Sequence, residues 1–209
     1  MQVKKPFGPT VAKTKIPDEI INQLNKYVDE IVTDKEKSKI QNHGHNLIGD
    51  VTQEIKLSEE ILASSGWGNF LAARVRELID HEYKKKIKSI KISSWVVRQF
   101  QHEYNPTHWH NGHVSGAGFL KVPSSFGEYV QDKSTKINFA GKLQLIHGSQ
   151  QFLAPSTLNI KPEVGDFYLF PHYLMHTVFP YRDNNEERRS VSFNSTIDED
   201  VFDIYTARS

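Results

Sequence analysis

Thr107-His108-Trp109-His110-Asn111-Gly112-His113-Val114-Ser115-Gly116-Ala117-Gly118-Phe119-Leu120-Lys121 is the stretch on which the reading of this chain turns. It has the composition of extended backbone, and in an extended chain residues i and i+2 project from the same face. His108 and His110 therefore converge. A third histidine, His176, stands in Phe170-Pro-His-Tyr-Leu-Met-His-Thr-Val-Phe-Pro180, and Arg188 follows twelve residues later in Arg188-Arg-Ser-Val-Ser-Phe-Asn194. Arg188 and Ser190 share one face of a strand and Arg189 takes the other. An arginine that points into a core needs an anion, because an unpaired buried charge is costly. A planar guanidinium beside a serine hydroxyl meets a carboxylate by a bidentate pair. The competing structural role is a salt bridge to a carboxylate of the fold such as Asp166, and if the strand phase is reversed Arg189 takes the inward place.

Around this stretch the pattern has period two. Residues 89–104 are rich in β-branched and aromatic side chains and end at Asn105-Pro106. Lys142–His147, Leu158–Ile160, Phe167–Phe170, Thr177–Pro180 and Arg188–Ile197 read as further short strands, with Asp183-Asn184-Asn185 as a hairpin turn and 123–135 as a loop. About seven strands with no helix between them predict an antiparallel barrel or sandwich.

The first part of the chain is different. Pro17-Asp18-Glu19 opens an amphipathic helix over about 17–33, with Ile20, Ile21, Leu24, Tyr27, Val28, Ile31 and Val32 at helical spacing. Asp34–Lys39 is charged and ends it. Ser58 caps a short helix that Gly66 closes, and a longer one covers about 67–85. Thr10-Val11-Ala12 is a weak edge-strand signal. The expected organisation is a single domain over 1–209: a helical part at 1–88, a β core at 89–197 and a tail at 198–209.

Composition narrows the chemistry. With no cysteine there is no disulfide, thiolate zinc site or thiol nucleophile, so His, Asp and Glu are the strong metal ligands that remain. A formal charge of +1 gives no bulk electrostatic case for nucleic acid, and the run Lys84-Lys85-Lys86 reads as the charged end of a helix. No apolar run approaches the roughly 18 residues of a membrane span, and the N-terminus lacks a signal-peptide core. A soluble, cytoplasmic protein is expected; the oligomeric state and the substrate are not legible.

Neutral imidazoles suit divalent iron, zinc, copper and nickel, and three ligands on one face leave open positions for exchangeable groups. His147 and His172 are rivals of His176 for the third place, and His113 is a candidate for a supporting or substrate-facing role. His43 and His45 are also two apart, but Gly44 and the flanking asparagines make a turn of them. No His-x-Asp or His-x-Glu occurs in the chain.

At these residues the chain resembles the Fe(II)- and 2-oxoglutarate-dependent oxygenases, in particular a group from bacteria and marine bacteriophages related to the prolyl hydroxylases. The resemblance runs over about 90–197: His108-Trp109-His110, Ser115-Gly116 with Phe119-Leu120, Gly165-Asp166 with Phe170-Pro171, His176, and Arg188 to Asn194. Where the family usually has a carboxylate two residues after the first histidine, this chain has His110. The resemblance implies a double-stranded β-helix (jelly roll), Fe(II) held by His108, His110 and His176, and 2-oxoglutarate held at its distal carboxylate by Arg188 with Ser190 and Tyr104. It implies decarboxylation of the keto acid to succinate coupled to hydroxylation of a C–H bond. Trp109 and His113 would then face the substrate. Two other readings of the same residues stay open: a three-histidine dioxygenase that uses no keto acid, and a jelly-roll binding protein without catalysis.

Overall fold

The computed structural model describes residues 8–42, 44, 49–127, 138–182 and 185–203. His43 and His45, most of the 123–135 loop and two of the three residues of the 183–185 hairpin turn lie outside them. In chain order the elements are β1 (Ala12–Lys15), α1 (Asp18–Thr33), α2 (Lys35–Ile40), β2 (Gln53–Lys56), α3 (Glu59–Ser64) and α4 (Trp67–Tyr83). Then come β3 (Ile90–Gln99), β4 (Asn105–His108), β5 (Val114–Lys121), β6 (Leu143–Ile146), β7 (Thr157–Ile160), β8 (Asp166–Pro171), β9 (Met175–Val178), β10 (Arg188–Ile197) and the short α5 (Glu199–Phe202).

The strands form two antiparallel sheets, of order β1-β8-β5-β10-β3-β2 and β4-β9-β6-β7. From β3 onward the chain passes back and forth between them: β3, β5, β8 and β10 lie in the large sheet, and β4, β6, β7 and β9 in the small one. That alternation is the double-stranded β-helix expected from the sequence. Two strands of the large sheet come from the part read as helical. β1 pairs with β8 on one edge and β2 with β3 on the other, so the N-terminal segment extends the sheet as well as covering it.

Each strand of the large sheet sorts its side chains by parity. The outer face carries Val96, Leu120, Phe167, Val191 and Phe193, which pack with Leu24, Val28, Trp67, Leu71 and Val75 of α1 and α4 into the main core. Burial of each such side chain contributes about 1.5–3 kcal/mol. Trp67 is fully buried; its indole N–H donates to Ser94 Oγ at 3.0 Å, and that hydroxyl donates to Ser192 O at 2.6 Å, which ties α4 to β3 and β10. Gly116 and Gly118 lie under this layer, where a Cβ would collide with Tyr168 O and approach the Phe193, Phe167 and Asp166 atoms to 2.5–2.8 Å. The space between the sheets is filled at one end by Phe119, Leu143, Leu145, Ile160, Phe170, Leu174 and Val178.

Local expectations depart from the structure at definite points. Asp34 does not simply stop α1; its carboxylate accepts from the backbone N–H of Glu36 and Lys37, both at 3.1 Å, and so starts α2. Asn105-Pro106 is no break either, since both residues lie within β4. An edge strand with its free side outward tolerates the missing proline N–H. The predicted 89–104 strand ends at Gln99, where a turn with His102 at φ 70° leads into β4. Among the described residues no helix is long and apolar enough to cross a membrane.

Candidate metal centre

His108 closes β4 and pairs with His176 of β9 across the small sheet. His110 lies two residues past the end of β4, in a turn whose backbone is pinned by His110 N–H to His172 O at 3.0 Å and His113 N–H to Ser195 O at 2.7 Å. Gly112 makes this turn possible: its φ is 97°, and a Cβ there would stand 2.7 Å from Ser195 O. The i, i+2 relation therefore brings the two imidazoles together by a turn as much as by a strand. Ring centroids are 4.3 Å apart for His108 and His176, 4.7 Å for His110 and His176, and 5.2 Å for His108 and His110. One nitrogen from each ring falls within 4.8 Å of the other two, the sole such cluster of metal-ligating residues among those described.

Hydrogen bonding fixes which nitrogen points inward. His108 Nδ1 is 2.7 Å from Pro106 O and His176 Nδ1 is 2.9 Å from Leu174 O. A carbonyl only accepts, so each Nδ1 carries the proton and each Nε2 keeps its lone pair free. The Nε2 atoms of His108 and His110 face each other at 3.3 Å. This donor set fits a divalent transition metal.

Burial pushes the His110 imidazolium pKa down to about 3, with His176 and His108 adding to the effect and the Asn194 side chain opposing it. His176 is pushed down to about 4 by burial and then by His108, and His108 is lowered by burial. All three are neutral at physiological pH, as ligation requires. Their folded pKa values lie below that of an unfolded histidine, near 6.5, so the unfolded chain binds more protons in acid. The stability they contribute is complete above about pH 6.5 and is lost as pH falls towards 4. For His110 and His176 the loss in metal-free protein is expected to be at most about 1.4 kcal/mol per histidine for each pH unit in that window. His110→Gln, which removes one titrating ring, should flatten the slope; equal slopes in denaturant titrations at pH 6.5 and 5 would contradict this.

The cluster opens into a cavity of about 370 Å³ whose lining includes His108, His110, His176, Trp109, Phe119, Arg188 and Ser190. Arg188 is 1% exposed. Its guanidinium donates to Gly141 O at 3.2 Å, Gln99 Oε1 at 3.2 Å and Ser190 Oγ at 3.3 Å, and lies over the Phe119 ring at 5.2 Å. None of these partners is an anion, and burial lowers its pKa to about 10. Asp166, the carboxylate weighed as a partner, instead pairs with Lys13 and Lys15 of β1 at 2.7 and 2.6 Å. Arg189 faces the other way, bound to Glu187 at 2.8 Å and Asp29 at 2.6 Å, with Arg98 also on Glu187 at 2.8 Å.

Other candidate residues fall elsewhere. Tyr104 is 40% exposed and does not line the cavity; Gln99, opposite Arg188 in the β3–β10 ladder, is the group beside the guanidinium. Gln99 is foreshadowed only by its strand parity with Trp95 and Val97. His113 and His172 line a separate cavity of about 880 Å³ between α4 and α5, where His113 stacks on Phe202 at 3.7 Å. His147 sits beyond the end of β6 and is exposed. Trp109 is 63% exposed on the cavity rim.

A jelly roll with three neutral imidazoles and a buried arginine without an anion around one cavity can hold a divalent metal and a carboxylate side by side. Residues 93–194 match the family described as "Putative 2OG-Fe(II) oxygenase". A prolyl-4-hydroxylase from Pseudomonas putida is similar in structure, with a TM-score of 0.57 at 12% identity over 88% of this chain and 90% of that one. A prolyl hydroxylase from Trichoplax adhaerens, solved with a hypoxia inducible factor peptide fragment, gives 0.55 at 16% identity over 93% and 85%. HygX from Streptomyces hygroscopicus, solved with iron bound, gives 0.56 at 11% identity over 90% and 82%. No curated protein matches. The match to a 2OG-Fe(II) oxygenase family thus lies on the β core, just under half of the chain, and the three solved structures share its fold.

Proposed function

We propose that this protein is a 2-oxoglutarate-dependent hydroxylase in which His108, His110 and His176 hold Fe(II) and Arg188 with Ser190 holds the distal carboxylate of the co-substrate. One observation carries the reading: a buried guanidinium without an anion and three clustered imidazoles, two of them with Nε2 left free, line the same cavity. Fe(II) with 2-oxoglutarate supplies dioxygen-dependent decarboxylation to succinate coupled to hydroxylation of a C–H bond. The chain's part is positioning. Pro106 O and Leu174 O hold two rings in the ligating tautomer. Gln99 and Ser190 orient the guanidinium, and Phe119 under it excludes water, so a carboxylate meets a fixed, poorly hydrated donor. Trp109 flanks the route by which substrate reaches the rings.

With no carboxylate among the proposed ligands, a divalent metal held by His108, His110 and His176 would keep its full double charge, and Arg188 would add a second positive group for a dianionic keto acid. Adding 2-oxoglutarate to anaerobic Fe(II)-loaded protein is expected to produce the weak visible charge-transfer band of a chelated keto acid. Succinate should form on admission of air. A spectrum unchanged by the keto acid in protein that has bound iron would favour a three-histidine dioxygenase using no keto acid.

A further inference from the structure

The cavity has a second polar end that the co-substrate reading leaves unused. Glu54 on β2 pairs with Val97 of β3, so its side chain shares the inner face of the large sheet, and it lines the cavity at 3% exposure. Its Oε2 is buried and has no hydrogen-bond partner. Asn105, at the start of β4, also lines the cavity, and its Oδ1 is likewise buried and unpartnered. The two side chains meet beside Gly49, where a Cβ would collide with Asn105 Oδ1 and stand 3.1 Å from Glu54 Oε1.

We propose that Glu54 and Asn105 form the subsite for the primary substrate, and that this substrate presents an ammonium or guanidinium group to them; the inference rests on the oxygenase reading above. Both orphan atoms are acceptors, so what they lack is a donor. Buried polar groups are almost always paired, and a buried carboxylate most of all. No cationic side chain among the described residues serves them: Arg188 is the sole Lys or Arg among the described lining residues, and its bonds run to Gly141, Gln99 and Ser190. A cation with several N–H groups would satisfy Glu54 Oε2 and Asn105 Oδ1 at once. The cavity is polarised to match, with one guanidinium for an anion and one carboxylate for a cation. Trp109 and Trp95 add ring faces that favour cationic nitrogen. Burial already pushes the Glu54 carboxyl up to about 7, so the carboxylate form gains more from an arriving positive charge than an exposed one would.

The test uses anaerobic protein loaded with Fe(II) and 2-oxoglutarate at pH 8, titrated calorimetrically with n-butylguanidinium and with its neutral isostere n-butylurea. The cation is expected to bind at least tenfold more tightly, and Glu54→Gln, nearly the same size without the charge, is expected to erase the preference while keeping the keto-acid band. The proposal is overturned if wild-type protein does not prefer the cation, if the preference survives in Glu54→Gln, or if Glu54→Gln loses iron, which would make Glu54 a ligand. The isostere comparison in wild type needs no variant. A missing visible band in wild type strikes the oxygenase reading alone, because the cation preference is read separately as heat.

Discussion

His176→Ala is expected to abolish tight Fe(II) binding and to lower 2-oxoglutarate turnover by about 10³-fold or more, equivalent to about 4 kcal/mol of barrier. The residue is 4% exposed on β9, opposite His108 and Leu145, with its ring against Phe170 at 5.1 Å. No other described histidine can take its place, because His172 belongs to the larger cavity and His147 is exposed beyond β6. Secondary structure should be retained, since the ring contributes a polar edge to the cavity rather than filling the core. Metal analysis and circular dichroism on one preparation check both halves. His172→Ala serves as the control that binds iron normally. Metal retained in His176→Ala at wild-type stoichiometry would remove β9 from the site, whereas loss of fold would make the residue structural.

The second large effect separates two adjacent arginines. Arg188→Met should raise the 2-oxoglutarate concentration needed for half-maximal turnover by roughly 30- to 150-fold, the 2–3 kcal/mol of a charged hydrogen-bonded pair. It should leave the protein as stable as before or more so, because an unpaired buried charge is replaced by an apolar chain of similar length. Arg189→Met should do the reverse. It strands Glu187, whose carboxyl is made harder to ionise by burial but held below its ordinary value by Arg189 and Arg98. The expected loss is roughly 3 kcal/mol, the low end for breaking a buried pair because Arg98 still holds Glu187. The dependence on 2-oxoglutarate should be unchanged. Denaturant melts and succinate assays on the two variants decide it: a co-substrate effect in Arg189→Met instead of Arg188→Met would reverse the face assigned to each.

How these features could be read in the chain differs from residue to residue. Strand parity was enough to set Arg188 and Arg189 on opposite faces, because a period of two leaves no other arrangement once β10 exists. Which face was interior needed Asp29 and Glu187, one of them on a helix about 160 positions away, and no local pattern links them. The i, i+2 spacing of His108 and His110 pointed to convergence, yet the backbone that achieves it is a glycine turn whose partner, Ser195 O, is likewise remote. Tyr104 was placed by proximity to the histidines in sequence, but the turn at His102 carries it out to solvent. β2 left almost no signal. Gln53-Glu54-Ile55-Lys56 is four residues with one apolar side chain, and it is a strand because β3 offers an edge to pair with. Glu54 was invisible for the same reason.

β4 is four residues long, lies at the border of the small sheet, and touches only β9 within it. Pro106 denies it one amide, and its pairing with β9 is irregular between Asn105 and His108. Such borders have the lowest opening free energies in a fold. Two of the three imidazoles thus ride on or just past an edge strand of the small sheet, while the third sits between two neighbouring strands. A captured cation would act as a rivet across that seam, so that filling the centre and stiffening this side of the barrel become one event.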